Sequence, residues 1–166
     1  MAAPTVYPSE SARAASAGES RFRIRVPIAP ARAARVIGLD GRATAVARRL
    51  AEHPWAHARF YTGGGPRPAG TDDPLLHALD GTPATLPAVL DGSDVVVVLA
   101  TEDGGRATAA TIGRFCWQHG ITTAGVVLGD GFEADDAVAA LRPYARVLLL
   151  SADEGDVFEL LTALRV

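Results

Sequence analysis

At 166 residues the chain has the length of one domain with a well-buried core, and its 48% hydrophobic and 21% charged residues are ordinary globular values. A net charge of -3 excludes a bulk electrostatic pull toward nucleic acid or an anionic membrane. The complete lack of lysine excludes a Schiff base, a pyridoxal phosphate linkage and a Walker P-loop, and one cysteine excludes an internal disulfide.

Residues Met1 to Ser20, rich in Ala, Ser, Pro and Glu and without an apolar core of a leader, read as a disordered tail. Residues 21–166 then form one domain. Arg21 to Val26 alternates arginine with Phe22, Ile24 and Val26, the period of a half-exposed strand, which reads as either an edge strand or an extended arm. A strand is expected at Arg35 to Leu39, a turn at Asp40-Gly41 and a helix over Arg42 to Glu52. A second strand follows at His57 to Tyr61, then a glycine- and proline-rich loop over Gly63 to Asp73. Pro74 is expected to open a short helix carrying Leu75, Leu76 and Leu79, with another brief helical turn at Leu86 to Leu90.

The strongest strand is Asp94 to Ala100, whose unbroken apolar interior marks burial on both faces, as in a parallel sheet. Helix Arg106 to His119, strand Thr122 to Leu128, helix Ala134 to Arg142, strand Arg146 to Leu150 and a helix from Glu154 to Leu164 complete the alternation. That order predicts a three-layer, doubly wound, mostly parallel Rossmann-like α/β domain. Its apolar runs are far shorter than the roughly 20 residues of a spanning helix, so no membrane partner is expected. The lone Cys116 fits a reducing, cytoplasmic compartment, and sixteen basic residues that are all arginine fit a high-GC genome such as an actinobacterium's.

Ligands of open parallel sheets bind beyond the carboxyl ends of the strands, where strand order reverses. Acid–glycine groups stand at those ends: Asp40-Gly41, Glu102-Asp103-Gly104-Gly105, Asp130-Gly131 and Asp153-Glu154-Gly155. Each acid suits the N-cap of the helix that follows. One feature exceeds capping. Gly-Arg-Ala-Thr-Ala occurs at both Gly41 to Ala45 and Gly105 to Ala109, each time after a strand and opening a helix. If those strands are neighbours, Gly41, Arg42 and Thr44 meet Asp103, Gly104, Gly105, Arg106 and Thr108 across one crevice. That set suits a phosphorylated small molecule or nucleotide held by helix N-termini. The crowd of carboxylates would tolerate hydrated Mg²⁺ better than bare phosphate. The four histidines, His53, His57, His77 and His119, have no spacing that suggests a zinc site, so no metal ligand is assigned and no cofactor is specified. Cys116, between Ile112, Phe115 and the helix end, reads as a small buried apolar residue.

Val36-Ile37-Gly38-Leu39-Asp40-Gly41, Ser93-Asp94-Val95-Val96-Val97-Val98 and Gly120-Ile121-Thr122-Thr123-Ala124-Gly125-Val126-Val127 are similar, in order and kind, to segments of one family. Residues Arg35 to Leu50 and Ser93 to Asp130 resemble the N-terminal GTP-binding domain of the FtsZ/tubulin superfamily. That family's Gly-Gly-Gly-Thr-Gly-Thr-Gly phosphate loop corresponds to Asp103-Gly104-Gly105-Arg106-Ala107-Thr108-Ala109, which keeps two glycines and one threonine. Alanine side chains and an acid obstruct the approach of backbone amides to phosphates. No asparagine is present for the family's nucleoside contacts, and its second domain has no counterpart in this sequence. The resemblance implies the fold and a degenerate nucleotide site without GTP hydrolysis.

The expected function is therefore a non-hydrolysing binding or regulatory protein. Two alternatives remain open: a Mg²⁺-dependent nucleotide or phosphoryl-transfer enzyme using Asp40, Asp103, Asp130 and Asp153, and a scaffold acting through a protein partner or homo-oligomer.

Overall fold

A computed structural model describes residues 29–64, 69–70, 72–130 and 134–166. The expected tail over Met1 to Ser20, the expected strand or arm over Arg21 to Val26 and residues 65–68 and 71 of the glycine-rich loop lie outside the described residues.

Strand β1 (Ala34–Gly38) is followed by helix α1 (Gly41–Ala51), β2 (Ala58–Thr62), β3 (Leu75–Ala78), β4 (Pro83–Thr85) and the short α2 (Leu86–Leu90). Then come β5 (Val95–Ala100), a single 3-10 turn at Asp103–Gly105, α3 (Arg106–Gln118), β6 (Thr122–Leu128), α4 (Asp135–Leu141), β7 (Ala145–Ala152) and α5 (Glu154–Ala163). The seven strands form one sheet in the order β4-β3-β2-β1-β5-β6-β7. Five are parallel, and β3 and β4 add an antiparallel margin.

Both faces of the sheet are covered. Val36, Val97, Ala124 and Val126 pack beneath Ala43, Ala47 and Leu50 of α1 and Val157 and Leu161 of α5. Their strand neighbours Ile37, Val96 and Val98 pack against α2, α3 and α4 through Leu86, Val89, Ile112, Cys116 and Leu141. This explains β5, where no residue from Val95 to Ala100 exceeds 1% exposure. Period-two alternation cannot show in a strand that has no solvent face. The protein is a three-layer, Rossmann-like α/β domain, and among the described residues no helix is long and apolar enough to cross a membrane.

One element departs from expectation. Leu75 to Ala78 is a strand, pairing antiparallel with β2 through Tyr61↔Ala78 and Thr62↔His77, where a short helix from Pro74 was expected. The cause is the turn that follows it. Gly81 has φ +91°, and Asp80 accepts a 2.8 Å hydrogen bond from the Thr82 amide. This Asp–Gly turn folds β4 back on β3, and pairing buries Leu76 completely.

Order along the chain reverses between β1 and β5. Helix α1 carries the chain from β1 toward β2 on one face, and α3 carries it from β5 toward β6 on the other. Their N-termini therefore flank one point at the carboxyl end of the sheet.

Candidate functional site

The two strands that precede the repeated peptide are direct neighbours. β1 and β5 run parallel, with Ala34 opposite Val95 and Gly38 opposite Leu99. The Leu39 amide continues the ladder to the Leu99 carbonyl at 2.9 Å. Two residues further on, this register brings Asp40 level with Thr101.

That pairing decides what fills the crevice. Asp40 caps α1, its Oδ1 accepting from the Ala43 amide at 2.8 Å. The same oxygen accepts from the Thr101 hydroxyl at 2.7 Å, while Oδ2 accepts from the Thr101 amide at 2.6 Å and the Glu102 amide at 3.3 Å. Only 9% of Asp40 is exposed. One carboxylate thus collects donors from both loops of the switch point, so its burial is matched by hydrogen bonds.

The space around it is narrow. A Cβ on Gly38 would lie 2.7 Å from the Thr44 amide nitrogen, so glycine lets α1 approach β1 closely. A Cβ on Gly105 would meet the Leu39 side chain at 2.6 Å. Leu39 therefore occupies the ground beside the glycine pair of the β5–α3 loop.

The remaining residues fall on two sides. Gly41, Arg42 and Thr44 belong to α1; Gly41 and Arg42 are exposed, and the Thr44 hydroxyl donates to that of Thr62 at the end of β2, 3.0 Å away. Across the β1–β5 boundary stand Asp103, Gly104, Gly105, Arg106 and Thr108. Asp103 Oδ1 accepts from the amides of Asp136 and Ala137 at 2.8 and 3.3 Å, capping α4 instead of its own helix. Arg106 Nη1 lies 3.4 Å from the Asp136 carboxylate, an exposed pair. Its guanidinium is thus engaged with α4, on the face opposite α1. Gly105 caps α3 without a side-chain hydrogen bond.

Asp153, at the end of β7, is occupied in the same way. Asp153 and Asp156 form a reciprocal capping box on α5. Among the described residues no three His, Cys, Asp or Glu groups converge in a way that could hold a metal ion. Cys116 is fully buried on α3, and burial pushes its thiol up to about 11, which keeps it protonated and unreactive at neutral pH. His119 stacks on Phe115 and its Nδ1 lies 2.8 Å from the Phe115 carbonyl, closing the end of α3.

Three participants had no signal of their own in the sequence. Thr101, Thr62 and Asp136 are ordinary residues until strand order is known; Thr101 was accessible only by aligning the ends of β1 and β5. No protein-family model matches this chain, and no curated protein matches it.

Proposed function

We propose that this chain is a non-hydrolysing binding or regulatory protein, a degenerate relative of the FtsZ/tubulin-like nucleotide-binding domain that works through a protein partner in the cytoplasm of a high-GC organism. The single observation behind this reading is Asp40. Its carboxylate takes the Ala43, Thr101 and Glu102 amides and the Thr101 hydroxyl. Those are the donors that a phosphate at this switch point would need. A second anion about 4 Å away would meet repulsion of about 4 kcal/mol at an effective dielectric of about 20, close to a thousandfold in affinity. The carboxylates also divide into local caps, which favours architecture over metal-assisted phosphoryl transfer at Asp40, Asp103 and Asp153.

A second reading has one observation in its favour. Gly105 leaves the first turn of α3 without a side-chain cap, beside Arg106 and Thr108. A small phosphorylated ligand there would need Arg106 to leave Asp136.

Thermal unfolding with GTP, GDP or ATP, with and without Mg²⁺, tests the proposal. A ligand at a hundred times its Kd adds about 2.7 kcal/mol, on the order of 5–10 °C for a domain of this size. The expected result is no shift and no phosphate release. Stabilisation by any nucleotide, or steady release of phosphate, overturns it. Stabilisation by a small phosphorylated compound that is lost in Arg106→Ala supports the second reading.

A further inference from the structure

A small cavity lies where β6 and β7 begin, at the opposite end of the sheet from the β1–β5 crevice. It measures about 200 Å³, and its walls include Trp117, Ile121, Thr122, Thr123, Tyr144 and Arg146. An irregularity in the sheet supplies the arginine. Thr123 of β6 stands opposite Ala145 of β7, but Ala124 stands opposite Val147, so Arg146 is an extra residue without a partner on β6. Thr123 is level with Val96, on the α3–α4 face, and Val147 packs on the α1–α5 face. Strict alternation after Ala145 would send Arg146 to the α1–α5 face. The bulge returns it to the α3–α4 face, where it lines the cavity with Thr123.

Helix α3 sets the aromatic walls. Gly113 and Trp117 are four residues apart and share one side of the helix. A Cβ on Gly113 would lie 2.5 Å from the Tyr144 ring, so glycine lets that ring rest on α3 one turn from Trp117. The indole is 71% exposed, a large apolar surface with little cover. Two polar groups complete the cavity. The Arg146 guanidinium has no hydrogen bond or ion pair among the described residues, and no acid lines the walls. Thr123 is 1% exposed, and its hydroxyl, beside the Cys116 thiol, has no hydrogen-bond partner among the described residues. A buried hydroxyl left in that state costs stability, so it calls for a partner.

We propose that this cavity binds a small aromatic carboxylate, with its ring against Trp117 and Tyr144 and its carboxylate held by Arg146 and the Thr123 hydroxyl. A planar carboxylate matches the guanidinium fork, and a ring supplies the cover that Trp117 lacks. A cavity of about 150 Å³ takes up benzene, so this one suits a molecule of benzoate size and is too small to enclose a nucleotide. The site goes beyond the proposed function and does not depend on it, because it shares no residue with the switch point.

Fluorescence titration of Trp55→Phe tests this, since that variant keeps Trp117 as its one tryptophan. Benzoate is expected to change the Trp117 emission saturably, with a Kd on the order of a millimolar, ordinary for so small a ligand. Benzamide, which lacks the charge, and acetate, which lacks the ring, are expected to bind about tenfold more weakly or worse. Adding Arg146→Gln, an exposed position, is expected to weaken benzoate about tenfold and leave the melting temperature unchanged. Adding Thr123→Val is expected to weaken benzoate several-fold while holding or raising the melting temperature, because it removes an unpartnered buried hydroxyl; a merely structural threonine would lower it. No saturable response to benzoate overturns the proposal. So does binding that benzamide equals or that survives Arg146→Gln undiminished.

Discussion

Asp40 and Asp153 both cap helices, yet their environments separate them. Asp153 shares an exposed capping box, so truncation removes one cap, worth about 1 kcal/mol. Asp40→Ala removes a cap and also strands the Thr101 and Glu102 amides, for a total loss of about 2–4 kcal/mol. Chemical denaturation of the two variants should show the larger loss at Asp40; equal losses would mean that the bonds to Thr101 and Glu102 contribute nothing. The capping half of this role was legible in the sequence, because an acid–glycine pair between strand and helix states it directly. The other half was not, since it depends on a partner 61 residues away reached by the second carboxylate oxygen.

At the scale of elements, legibility followed the strength of the local period. α1, α3, β5 and β6 were readable because each is long enough for its apolar pattern to be unambiguous. β3 was not: Leu75-Leu76-His77-Ala78-Leu79 satisfies either period, and only the Asp80-Gly81 turn resolves it. α2 was placed correctly, but five residues cannot hold a helix by themselves. Arg35, on β1, supplies the missing support. It is 7% exposed, its Nε donates to the Val89 carbonyl at 2.7 Å and its Nη2 to the Asp91 carbonyl at 3.2 Å. Burial lowers the pKa of this guanidinium, while Tyr61, Asp91 and Asp94 act in the opposite direction. Arg35→Met is expected to cost about 1.5–3 kcal/mol and to accelerate exchange of the α2 amides ahead of those in β5. Arg35→Lys should not restore α2, because an ammonium cannot span both carbonyls. Full recovery by lysine would reduce the role of Arg35 to charge alone.

For the whole molecule, alternation of strands and helices was enough to infer a doubly wound sheet, and adjacency of β1 and β5 followed from that architecture. The reversal of strand order then set the helix N-termini around one crevice. Sequence could locate that crevice but could not say which side chains close it, because Leu39 and Asp40 acquire their roles only when the β5–α3 loop is brought against them. The same reversal puts α1 and α3 on opposite faces, which is why Arg106 engages α4.

The most direct measurement compares Asp40→Gly with the unaltered chain and with Asp153→Gly in rising inorganic sulfate or phosphate. Glycine keeps much of the N-cap conformation but removes the built-in anion. If the carboxylate stands where an external anion would otherwise bind, Asp40→Gly melts lower and regains stability with added anion well beyond the general salting effect seen in the other two proteins. Parallel responses in all three would show that the crevice has no latent anion site for Asp40 to occupy.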